Sequence, residues 1–125
     1  MNDALLRLVL IAIAAITVLS GAAQLIVPTV TLSFIAKPAE PLSPQLFATV
    51  GMFMVITGAL FFESLWNRSG EGAIPFWIGV QKLAAAALVT FGWTKGVLVG
   101  LAVGVAAFDF VSGVLCFVFW RRLGR

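Results

Sequence analysis

The sequence predicts an all-α fold: an integral membrane four-helix bundle with both termini in the cytoplasm. Three observations carry that expectation. Four apolar stretches are each long enough to span a bilayer, only 10% of residues are charged, and the basic residues gather at one end of the spans. A helix needs about 20 predominantly apolar residues to cross the hydrocarbon layer, whereas an ordinary globular domain is about 25% charged. The mean hydropathy of +1.12 agrees, and the 125 residues leave room for one transmembrane domain over 1–125.

Helix one is expected over about 4–27 and stops at Pro28. Its start, with Arg7, the run Leu8 to Leu19 and the small residues Ser20-Gly21-Ala22-Ala23, has the layout of a signal peptide. Hydrophobicity continues through Leu25-Ile26-Val27, so it reads as a retained first helix. A loop over Thr29 to Ser43 follows, holding Lys37-Pro38-Ala39-Glu40-Pro41, and prolines deny it a continuing helix. Its first part, Thr29 to Ala36, alternates loosely and is left without assigned structure.

Helix two is expected over about 44–66, with Pro44 suited to a first turn, and the polar run Asn67 to Gly72 ends it. Helix three covers about 74–93 and helix four about 96–120, joined at Gly92-Trp93-Thr94-Lys95-Gly96. Short connections make helices two, three and four sequential antiparallel neighbours.

Orientation follows from the positive-inside rule. Arg7, Arg68, Arg121, Arg122 and Arg125 fall on one side, against Lys37 and Lys95 on the other, which places both termini in the cytoplasm. Trp66, Trp77, Trp93 and Trp120 all lie near helix ends, where indole rings favour the interface. The net charge of +3 is therefore a mark of topology, and a nucleic-acid partner is excluded.

Inside the spans the chain carries few polar groups. Lys82 lies 13 residues before Lys95 and Asp109 lies 13 residues after Gly96, so antiparallel helices bring both to one depth. A lone charge at mid-bilayer costs roughly 2.5–3.5 kcal/mol on insertion scales, so two opposite charges at one depth predict an ion pair. Small residues flank both: Gly79, Ala85 and Ala86 around Lys82, and Ala102, Ala106, Ser112 and Gly113 around Asp109. Such stripes let helices approach closely and favour a protein-facing position. Glu63 is a second candidate partner for Lys82, and Gln81 adds a donor and acceptor beside it. Gln24, in the outer half of helix one, is expected to stand too far away to join this cluster.

Gly96-xxx-Gly100-xxx-Gly104 forms two linked GxxxG motifs at the start of helix four, expected to pack against a neighbouring helix or a second copy. Gly51 and Gly58 mark a similar stripe on helix two. The phenylalanines, Phe53, Phe61, Phe108, Phe110 and Phe119 among them, are expected to pack or to face lipid, with an aromatic-lined lipid or quinone pocket as the alternative.

The catalytic inventory is thin. The chain has no His and a single Cys116, expected to be a packed apolar residue. It therefore lacks the commonest general base, the commonest metal ligand and any thiolate cluster. No catalytic residue, metal site or cofactor is expected.

The layout resembles the DoxX-like group of small bacterial four-helix membrane proteins. The resemblance rests on a first helix ending at Pro28, a Pro-rich outer loop, and a second helix spaced Gly51…Gly58…Glu63. It covers the chain by architecture and implies the bacterial inner membrane. The acid often found early in that group's second helix is absent, with Met54 and apolar neighbours there. Small multidrug transporters are similar in length alone, because 4–27 holds Arg7 and none of their essential first-helix acid within the span.

The expected function is that of a small non-catalytic polytopic membrane protein, an accessory subunit of a larger membrane complex or a helix-packing homo-oligomer. Membrane lipids are its expected partners. The alternative is a small proton-coupled transporter or a lipid- or quinone-binding protein that uses the Lys82–Asp109 pair.

Overall fold

A computed structural model describes residues 1–36 and 42–124. The helices are α1 (Asp3–Ile26), α2 (Pro28–Ser33), α3 (Leu42–Asn67), α4 (Ile74–Thr94) and α5 (Ala102–Leu123). All but α2 are long and apolar enough to cross a membrane. The Lys37–Pro41 part of the predicted outer loop lies outside the described residues, as does Arg125.

Local chemistry sets the helix ends. The Asn2 side chain accepts from Leu5 N at 2.7 Å and caps α1, with Asp3 in its first turn. Pro28 offers no N–H, so the chain turns there and opens α2 at its first position, a short helix where no structure was assigned. Thr31 Oγ1 donates to Ala23 O at 3.1 Å and ties α2 back to α1. The C-terminus of α3 closes with Arg68 at φ 54° and Ser69 N donating to Ser64 O at 3.0 Å. That six-to-one bond over a left-handed residue is a Schellman closure, a position usually given to glycine.

The helices form two close pairs, α1 with α3 and α4 with α5. The pairs meet along α1 and α5 and, to a similar extent, along α3 and α4. Helix two of the sequence therefore packs closely on helix one and keeps helix three as a neighbour: chain order gives the connection, and the small residues decide the close partner. A Cβ on Gly51 would lie 2.6 Å from Gly21 O, and one on Gly58 would lie 2.9 Å from Val18 Cγ2. Both Gly51 and Gly58 thus stand where α1 approaches closely, as their spacing predicted. Gly79 and Gly113 do the same between α4 and α5, with Gly113 facing Leu83 at 2.8 Å.

The core is gathered at one end. Leu6, Leu10, Ile13, Phe61, Leu65, Ile78, Cys116 and Phe119 make one buried cluster, all toward the end that carries the termini. Cys116 is fully buried there, the packed role expected of it.

Helix four begins later than predicted. Residues 95–101 form a folded-back segment, and α5 starts at Ala102. Gly96 (φ 73°) and Gly100 (φ 61°) adopt left-handed backbone, which breaks a helix. The segment packs on the last turn of α4, with Leu98 against Gly92. It is also clasped to the end of α2: Val99 N donates to Ile35 O at 2.7 Å and Leu101 N to Phe34 O at 3.1 Å. An isolated antiparallel bridge joins Ala36 and Leu98.

Candidate functional site

Lys82 Nζ donates to Asp109 Oδ1 at 2.9 Å, with side-chain exposures of 7% and 15%. The shift in the start of α5 does not separate them. Lys82 lies about 18 Å below the end of α4 at helical rise, and the folded-back segment returns the chain toward that depth before α5 begins. Phe108 covers the ammonium at 5.2 Å from its ring centre. The described contacts occupy one of the three N–H donors of Lys82 and one oxygen of Asp109.

The pair borders a cavity of about 330 Å³ where α1 and α5 diverge. Its polar lining is Thr17, Ser20, Gln24, Lys82 and Asp109, contributed by α1, α4 and α5. Ile16, Met54, Leu101, Val105 and Phe108 supply apolar walls, and Gly104 leaves space beside them. Thr17 Oγ1 donates to Ile13 O at 2.9 Å, which leaves its lone pairs free to accept. Gln24 Nε2 donates to the Met54 thioether at 3.2 Å. Sulfur here can only accept, so the nitrogen end faces it. Among the described residues the amide oxygen Gln24 Oε1 is buried without a hydrogen-bond partner, a state that costs about 1–3 kcal/mol if left unanswered.

The predicted site residues divide. Lys82 and Asp109 come together. Glu63 is exposed on α3, away from Phe61, Ser64 and Leu65, which are buried. It points roughly 150° from that buried face, so it does not partner Lys82. Gln81 is exposed too and borders a separate cleft between α3 and α4, with Thr57 and Trp77. One residue of helical turn, about 100°, separates it from the Lys82 face. Gln24, expected to be too distant, lines the cavity itself because α1 and not α3 faces α5.

The glycine motif is corrected as well. Gly96 and Gly100 are not helical, so no GxxxG stripe exists to carry a helix contact. Gly104 is helical, and a Cβ there would meet nothing within 4 Å. Gly100 instead makes the clasp feasible, since its Cβ would sit 2.7 Å from Phe34 O.

Arg7 was read for topology alone, and the structure gives it more. It pairs with Glu71, donates to Leu65 O at 2.9 Å and stacks over the Phe119 ring at 5.1 Å. One guanidinium thereby joins α1, α3, the α3–α4 connection and α5. The signal was present: Arg7, Ala14 and Gly21 lie seven apart, on the face of α1 that meets the seven-spaced Gly51, Gly58 and Leu65. At the same end Arg122 pairs with Asp3 at 3.0 Å, and Trp120 Nε1 donates to Gly72 O at 3.0 Å.

A larger cavity, about 630 Å³, runs along the outer groove between α4 and α5. It is walled by alanines with Trp93 and Phe110, and its Thr90 hydroxyl is already bonded to Ala86 O at 2.7 Å. It has no convergent polar groups, so it offers shape without specificity. The polar cleft is smaller and chemically richer. Compared with known proteins, the chain matches no family model, no curated protein and no solved structure.

Proposed function

We propose that this is a non-catalytic multi-pass membrane protein that binds a membrane-dissolved molecule in the cleft beside Lys82 and Asp109. One observation carries the reading: an ion pair with unused hydrogen-bonding capacity borders an open cavity whose other walls are mostly apolar. A pair that served only to lock two helices would be closed off by packing. Buried ionisable groups in a membrane span are functional candidates by default.

The reading as an accessory subunit or helix-packing homo-oligomer keeps the small-residue seams at Gly51, Gly58, Gly79 and Gly113 but not the Gly96–Gly100–Gly104 stripe, which is not a helix face. In the proposed arrangement the end carrying Arg7, Arg68, Arg121 and Arg122 faces the cytoplasm of a bacterial inner membrane, following the charge bias. The test is mild-detergent extraction followed by native mass spectrometry. A stoichiometric small molecule on the wild type, absent from the Lys82→Met/Asp109→Ala double variant, is the expected result. A stoichiometric protein partner with an empty cleft would replace this reading by that of an accessory subunit.

A further inference from the structure

The cleft's donors and acceptors are specific enough to name the kind of head it takes. The geometry points to an uncharged lipid whose head carries a hydroxyl, held by Lys82 and Asp109 with its hydrocarbon tail leaving between α1 and α5. This inference rests on the binding role proposed above and specifies the ligand.

Charge comes first. Lys82 and Asp109 neutralise each other at 2.9 Å. Among the described residues no third charged group lines the cavity. A carboxylate or ammonium head would therefore enter a site of low dielectric with no free counter-charge, and desolvation would oppose it. A neutral head meets no such penalty.

Hydrogen-bond sense comes second. The Lys82 ammonium has donors to spare, so the head must accept. Asp109 has a second oxygen, so the head must also donate. An ester or ketone accepts without donating. A hydroxyl does both.

The apolar walls dictate the rest. Ile16 and Leu101 stand at the cleft mouth with 46% and 63% exposure, on the outward surface of the bundle. A tail leaving there runs directly into the hydrocarbon layer. The cavity volume suits a head and its first carbons, with the remaining chain lying outside.

Four probes that share one C18 tail separate these terms: oleyl alcohol, methyl oleate, oleate and oleylamine. Each is titrated against the full-length protein in nanodiscs and read by native mass spectrometry. Oleyl alcohol is expected to bind about tenfold or more tightly than methyl oleate, the worth of one well-made hydrogen bond, and more tightly than either charged probe. The wild-type ranking decides the matter. Tighter binding of oleate or oleylamine, or an ester equal to the alcohol, overturns the head assignment and leaves the binding role standing. No binding of any of the four to folded protein overturns both.

Discussion

Replacing Gly51 with alanine tests how the two halves of this molecule are built. The added Cβ would fall 2.6 Å from Gln24 Cβ, 2.6 Å from Gly21 O and 2.9 Å from Leu25 N. Two of these are backbone atoms and the third is the root of a side chain, so no rotamer change makes room. Carbon contacts settle near 3.5–4.0 Å, which forces α1 and α3 apart by roughly 1 Å at that level. Overpacking of this kind costs about 1–3 kcal/mol. The gain of alanine over glycine within a helix returns about 0.5–1 kcal/mol. A net loss of up to about 2.5 kcal/mol follows, read as a lower unfolding midpoint when the purified protein is titrated with SDS and followed by tryptophan fluorescence. Gly104→Ala is the control, because its Cβ meets nothing within 4 Å. It is expected to keep or slightly raise the midpoint. If Gly51→Ala is as stable as Gly104→Ala, the close approach of α1 and α3 is wrong.

Asp109→Ala strands the buried Lys82 and is expected to cost about 3–5 kcal/mol, seen as lost monodisperse protein on size exclusion. Adding Lys82→Met should recover most of it, and a double variant worse than the single one contradicts the pairing. Arg7→Lys keeps the charge but gives up the planar fork that reaches both Glu71 and Leu65 O. A loss of about 1–3 kcal/mol is expected in the same SDS titration, and an unchanged midpoint would reduce Arg7 to a topology charge. Gly100→Ala strains a φ of 61° and drives a Cβ to 2.7 Å from Phe34 O. Faster hydrogen exchange at the Val99 and Leu101 amides is expected, with the Leu6–Leu10 region unchanged. Equal protection in both would show that the clasp does not depend on glycine.

The four long apolar helices were legible because length and apolarity decide them, and neither depends on tertiary contacts. The Lys82–Asp109 pair was legible because a charge in an apolar helix demands a partner and the hairpin restricts the choice. Faces were harder to read. Outward-facing and inward-facing positions are both apolar here, as exposed Leu88 and buried Leu10 illustrate, so the usual periodic contrast between faces is weak. Glu63 was misplaced for that reason, although its offset from Gly51 and Gly58 held the answer. Gln24 was misjudged because helix adjacency is not written in chain order. The Gly96 and Gly100 error has a different cause. Glycine serves both a helix interface and a left-handed turn, and an apolar run does not distinguish them.

The uneven distribution of the core makes this bundle a lever. The packed cluster around Leu10 and Cys116 joins the two helix pairs at one end, while two backbone hydrogen bonds to Ile35 and Phe34 join them at the other. Gln24 stands about 21 Å along α1 from Leu10 at helical rise. A rotation of one degree about the packed end therefore moves the far end by roughly 0.4 Å over that arm. Any such rotation would have to stretch the Val99–Ile35 and Leu101–Phe34 hydrogen bonds, so the clasp sets how far the cleft can open.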